Sequence, residues 1–206
     1  MKILLSLLLI ALPAAAQAQT LNVDGCKIRR GAFCVNMNLN GADLQGATLA
    51  NSQLSRSNLS NADLSEANLD EATMTRTNLR GVNLENASLY RTRARNARFD
   101  EARLAGARLE NGNFQNANFT GADLTEAAMS NGDFTNARFE QATLDQADLG
   151  RANLNAANLR GASLVGANLR GVDFSRANLT GADLTDAVID QADFTHARTT
   201  GCLGCP

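Results

Sequence analysis

Two groups of residues in this chain have types and spacings that suggest chemistry: six arginines in the stretch YRTRARNARFDEARLAGAR, and two cysteines at the end, Cys202-Leu-Gly-Cys205. A Cys-x-x-Cys pair can form a bridge, cycle between dithiol and disulfide, or lend two thiolates to a metal. No thioredoxin-like βαβ pattern surrounds this one, no His follows Cys205 as haem attachment requires, and the nearest imidazole is His196. Hydrolysis or group transfer needs a nucleophile with a base and an orienting group, or a metal with its ligands. The chain has one His, one Tyr and no Trp. Its Ser, Thr, Asp and Asn fall at regularly recurring positions, and no phosphate loop or zinc spacing is present. The sequence therefore reads as a non-enzyme with neither cofactor nor metal. The arginines suggest a different chemistry, the docking of an anion.

What must position these groups begins after a leader. Residues 1–18, in MKILLSLLLIALPAAAQAQ, combine one cation at Lys2, an apolar run from Ile3 to Leu12, Pro13 and a small-residue box at Ala16-Gln17-Ala18. That is the pattern of a cleaved secretory signal peptide, and the apolar run is about half the ~20 residues of a membrane span. The expected location is periplasmic or secreted, with no transmembrane segment after cleavage. An oxidising compartment turns four cysteines toward bridges rather than thiols.

From Leu39 onward every fifth residue is Leu, Phe, Met or Ile, without insertion or deletion, except Ala94 and the terminal Thr199. Two residues before each of these centres stands a small residue, usually Ala; Gly112, Gly132, Ser52, Thr77 and Val82 are variants and Met37 is a bulky exception. Positions two apart point the same way in an extended chain, so the small residue and the centre face one interior. A five-residue period does not fit the 3.6-residue period of a helix. Two inward residues followed by a turn, repeated, make a β-solenoid. Sorting the centres by a period of twenty gives one column of Leu alone, from Leu44 to Leu184. It also gathers seven Phe into two adjacent columns: Phe99, Phe119 and Phe139, then Phe114, Phe134, Phe174 and Phe194. Four pentapeptides per coil follow.

Segments such as Ala62-Asp63-Leu64, Ala152-Asn153-Leu154 and Ala182-Asp183-Leu184 resemble the A-(D/N)-L-x-x motif of the pentapeptide-repeat family. The resemblance implies an all-β fold, a right-handed quadrilateral β-helix of about eight coils and about 40 Å in length. The expected organisation is the leader, an N-terminal cap over 19–36, the β-helix over 37–199 and a C-terminal cap over 200–206. A solenoid end exposes core and unpaired backbone, and the cysteines sit at the two ends. Of three possible pairings, two would cross the length of the rod, far beyond the ~7 Å reach of a disulfide, which leaves Cys26–Cys34 and Cys202–Cys205. Both are read as staples of the caps. A redox or metal-binding Cys202/Cys205 pair is the sharper alternative.

The formal net charge is −2 before the leader is lost, so non-specific attraction to nucleic acid is not expected. Sorted by column, charge is lopsided. The all-Leu face carries Asp43, Asp63, Glu85, Asp123, Asp145 and Asp183, with Glu66, Glu126 and Asp186 at its next corner and Arg103 as an interruption. The preceding face and its leading corner carry Arg56, Arg76, Arg80, Arg98, Arg138, Arg160, Arg176 and Arg198. Across these runs a belt of Arg91, Arg93, Arg95, Arg98, Arg103 and Arg108 occupies one coil at mid-length, either as solvated surface paired with Asp100, Glu101 and Glu110 or as a docking site for an anionic partner. The leading reading is an exported scaffold or binding module whose belt meets an unknown protein, a cell-wall polymer or another anionic surface, with an end-to-end homodimer as a further possibility. The alternative is a DNA-mimicking modulator of a type II topoisomerase, a role that family resemblance attaches to an acidic face and that export and Arg103 oppose.

Overall fold

The computed structural model describes residues 21–206, and the expected leader, residues 1–18, lies outside them. A short antiparallel hairpin opens the described chain, β1 (Asn22–Val23) pairing with β2 (Cys26–Lys27). Thereafter the chain pairs with itself in parallel, one residue per pentapeptide, each with the residue twenty positions on. The bridges run from Phe33↔Gln53 to Asp183↔Leu203. The fold is the β-helix expected of pentapeptide repeats, with four pentapeptides in each circuit.

Backbone accounting explains why five residues suffice. Within one pentapeptide we name the inward Leu-like residue the centre, the inward small residue two before it the small position, and the residue between them the slot. The centre N–H of Leu44 donates to the slot carbonyl of Asp63 at 2.7 Å, and the slot N–H of Asp63 donates to the small-position carbonyl of Ala42 at 2.9 Å. At the corner, the Gly46 N–H reaches Ser65 O at 2.8 Å and the Ala47 N–H closes a turn on Leu44 O at 3.0 Å. Four of five donors are thus met by main chain, which a buried polar backbone requires. The corner residue two after each centre has a positive φ. Gly41 and Gly46 take it without a Cβ clash, while Arg91 (φ 54°) and Ala156 (φ 55°) carry the left-handed strain.

Small and centre residues are buried along most of the array. The two Phe columns pack as stacks crossed by edge contacts: Phe99 and Phe119 lie with centroids 4.7 Å apart, Phe114 and Phe134 5.1 Å, and Phe99 meets Phe114 edge-on at 6.1 Å. Gly112 and Gly132 follow from this packing, since a Cβ there would lie 2.4 and 2.5 Å from the rings of Phe114 and Phe134. Ser57, Thr77 and Thr92 are tolerated at small positions because each hydroxyl donates to a carbonyl of the preceding coil, those of Cys34, Leu54 and Leu69.

The register reaches one pentapeptide beyond the expected 37–199 at each end. Cys34 fills a buried centre, and Cys202 and Leu203 take the small and slot positions over Ala182 and Asp183. Cysteine is compact and apolar enough to serve where Leu or Ala is the norm. The structure joins Cys26 to Cys34 and Cys202 to Cys205, with Cα separations of 5.3 and 5.8 Å. The ends differ, however. The N-terminal hairpin and Ile28 cover the first coil, whereas the C-terminal segment pairs along one side only. Ile189 and Phe194 remain partly exposed there, and the N–H groups of Ile189, Phe194 and Thr199 find no main-chain acceptor among the described residues.

Candidate interaction surface

The slot is where this fold meets its surroundings, and its usual occupant has a structural task. The fifth backbone donor, on the residue after each centre, is left over by the main-chain network, and an Asp or Asn in the slot takes it. Asp63 Oδ1 accepts the Ser65 N–H at 2.9 Å and its hydroxyl at 2.7 Å; Asn118 Oδ1 does the same for Thr120 at 3.2 and 2.6 Å, and Asp123 for Thr125 at 3.0 and 2.7 Å. These are Asx turns, and they account for the Asp/Asn preference. Three carboxylates so held, those of Asp63, Asp183 and Asp193, ionise more readily. The Ser65 hydroxyl, then its N–H, then Asn83 and Arg103 keep Asp63 below the usual carboxylate range against the opposing effect of burial, and Asp183 and Asp193 are lowered chiefly by Thr185 and Thr195. Asn residues also form ladders between coils, as from Asn58 to Asn38 at 3.2 Å and from Asn78 to Asn58 at 2.9 Å.

The belt breaks this arrangement. Arg93, Arg98, Arg103 and Arg108 occupy the bridging slot of four successive pentapeptides in one coil, all exposed. A guanidinium has no acceptor. The N–H groups of Arg95, Asp100, Ala105 and Glu110, which an Asn or Asp in those slots would cap, have no partner among the described residues. The Asn ladder from Asn38 to Asn78 stops at Arg98, and the link from Asn83 to Asp63 has no continuation at Arg103.

The six arginines are not equivalent. Arg98 pairs with Asp100 at 3.3 Å, Arg103 holds Glu85 through Nε at 3.0 Å, and Arg108 reaches Glu110 at 3.4 Å. Arg91 lies over the Tyr90 ring, 5.0 Å from its centroid. Arg93 and Arg95 have no carboxylate within 4.0 Å among the described residues, and neither have Arg56 and Arg76 at the adjoining corner. The corner pair was visible in the sequence as part of an arginine-rich edge; that it adjoins the unpaired side of the belt was not. Cys202 and Cys205 lie far from the belt along the stack and are bonded to each other.

Models of pentapeptide repeats match residues 38–76, 133–171 and 162–201, and a pentapeptide repeat region matches 72–149. The chain belongs to the pentapeptide-repeat family. Among solved pentapeptide-repeat structures, full-length QnrB1, a plasmid-mediated fluoroquinolone resistance protein, is 21% identical with a TM-score of 0.66, over 81% of this chain and 90% of that one. A trypsin-treated QnrB1 variant gives 22% identity and a TM-score of 0.68 over 82% and 89%. HetL, involved in heterocyst differentiation regulation in the cyanobacterium Nostoc sp. strain PCC 7120, is 29% identical over 82% and 89%, with a TM-score of 0.40. No curated protein sequence matches the chain. At these identities QnrB1 speaks for the fold alone.

Proposed function

We propose that this pentapeptide-repeat protein is a non-enzymatic scaffold or binding module, exported to the periplasm or beyond, whose arginine belt recognises an anionic partner. Its shape in this reading is a right-handed quadrilateral helix of about eight coils, stiff enough to present flat sides. One observation carries the proposal: four successive slots in one coil hold Arg and give up the Asx turn that the Asp and Asn slots make, at net ~0.5–1.5 kcal/mol for each forgone hydrogen bond, and place like charges around one circuit. Exposed ion pairs return ~0–1 kcal/mol each, so stability does not explain the substitution, whereas attraction to an anion does.

The test is binding of the exported protein to anionic vesicles, a cell-wall polymer fraction and an acidic protein, compared with a variant carrying Arg93→Asn, Arg98→Asn, Arg103→Asn and Arg108→Asn. Weakened binding to at least one target is expected. Undiminished binding to every target that the parent binds contradicts the belt as a recognition surface. A topoisomerase-directed role would need cytoplasmic residence and an uninterrupted acidic side, and Arg103 divides that side. The partly exposed C-terminal edge is where an end-to-end homodimer would form.

A further inference from the structure

The slot column that contains Arg93 begins, three coils earlier, with Phe33: the bridges run Phe33↔Gln53, Gln53↔Thr73 and Thr73↔Arg93. Phe33 points outward and is 77% exposed, the most exposed large hydrophobic residue described. With strands ~4.8 Å apart, it stands about 14 Å from Arg93 along the same side. Between them lie Gln53 and Thr73, and beside them Arg56, Arg76, Arg91 and Arg95; none of these four arginines, nor Arg93, has a carboxylate within 4.0 Å among the described residues. The Gly31 N–H donates to Ala50 O at 2.8 Å, which sets the exposed Arg30 at the same side's edge. Glu71 is the acid within this area, at the corner below Arg91. Half a circuit away, on the opposite side of the same coils, stand Asp43, Asp63 and Glu66.

We propose that this side of the N-terminal half docks flat on an anionic lipid bilayer, with Phe33 entering the headgroup boundary and the five arginines meeting lipid phosphates. The inference rests on the belt as a recognition surface and narrows it to one side and one target. An acidic protein or a soluble polymer needs only the cations. An exposed aromatic residue in line with unpaired cations is the combination that interfacial binding uses, since partial insertion and attraction to anionic headgroups add. Charge orients the contact too, because Asp43, Asp63 and Glu66 face away from the lipid and Glu71 alone offsets the five arginines on the docking side.

The experiment is co-sedimentation of the exported, leader-free protein, checked by N-terminal sequencing, with vesicles of phosphatidylcholine alone or containing about a third phosphatidylglycerol. Soluble polyphosphate serves as a lipid-free anion. Binding is expected to the anionic vesicles, to fall with added salt and to be absent from the neutral ones. Arg56→Asn with Arg76→Asn, both outside the belt, should weaken it about tenfold or more. Phe33→Ser should weaken vesicle binding severalfold and leave polyphosphate binding unchanged. Arg138→Asn, a slot arginine beyond the belt that pairs with Glu140, is the control and should not alter it. Substituting Arg91, Arg93 and Arg95 together should cost more than substituting Arg98, Arg103 and Arg108.

Equal binding to neutral vesicles, vesicle binding indifferent to Phe33→Ser, or equal losses from the two arginine sets would overturn the proposal. Polyphosphate binding without vesicle binding would overturn it too, while leaving the belt as an anion-binding surface. Loss of every anionic target from the parent protein would instead remove the broader reading.

Discussion

At the scale of single residues, the slot side chain decides whether a pentapeptide is structurally complete. Asp183 shows the ordinary case: its Oδ1 accepts the Thr185 hydroxyl at 2.6 Å and the N–H at 2.9 Å, and these bonds lower its pKa. A carboxyl whose folded pKa lies below its unfolded value adds stability above the unfolded value and loses it as pH falls through the folded one. The Asp183 contribution is therefore complete above the ordinary carboxylate range and disappears in more acidic solution. Carboxyl NMR titration should find Asp183 ionising at lower pH than an unstructured Asp, and Thr185→Val should move it back toward the ordinary range. An unchanged titration in that variant would assign the shift elsewhere. Part of this was legible in the sequence, where recurrent Asp and Asn beside inward Leu pointed to side chains that are solvated or bonded to nearby backbone rather than catalytic. Which donor they meet was not, because the leftover N–H is identified only once the other four donors of the pentapeptide have been followed to their acceptors.

At the scale of one coil, the inward column sets what its neighbours can be. Phe114 and Phe134 exclude a Cβ at Gly112 and Gly132. Gly112→Ala should accordingly destabilise by about 1–3 kcal/mol through overpacking, read as an earlier thermal transition; an equal or higher transition would mean that the ring turns aside at no cost. Ala94 is the converse, a small buried centre between Met74 and Phe114 in its column. If those two fill the space that a Leu would take, Ala94→Leu also costs about 1–3 kcal/mol, and a clearly higher melting temperature would reveal a void instead. The twenty-residue circuit, the all-Leu column and the clustering of Phe were all readable from volume alone, since coils stacked ~4.8 Å apart must match like with like. The reach of the register back to Cys34 was readable too, since Cys34 stands five residues before Leu39; its reach to Leu203 was not, because the motif fails at Thr199 and Cys202 holds the next inward position. For the belt, pairing with Asp100 and Glu110 was a reading the sequence offered, but which arginines stay unpaired was hidden. Arg103 meets Glu85, eighteen residues earlier, while Arg98 and Arg108 fold back on acids two residues on, a choice of rotamer rather than of pattern.

At the scale of the whole molecule, the two ends and the two long sides are unequal. A hairpin closes the N-terminal end, while the C-terminal end leaves Ile189 and Phe194 partly exposed beside unpaired backbone groups, so association through the C-terminal end should be the concentration-dependent one. Sedimentation should show any dimer of the exported protein dispersed by Phe194→Asp, and a dimer unaffected by it would lie elsewhere. Along the sides, the account holds that the belt trades stability for recognition, and one preparation measures both. The variant with Arg93, Arg98, Arg103 and Arg108 all replaced by Asn regains four Asx acceptors and gives up three exposed ion pairs. Its melting temperature should equal the parent's or exceed it by a few degrees, about 2–4 °C per kcal/mol for a chain of this size, while its binding to anionic vesicles falls. A variant that melts well below the parent and binds those vesicles equally well would show that the arginines serve the fold, and would contradict the account.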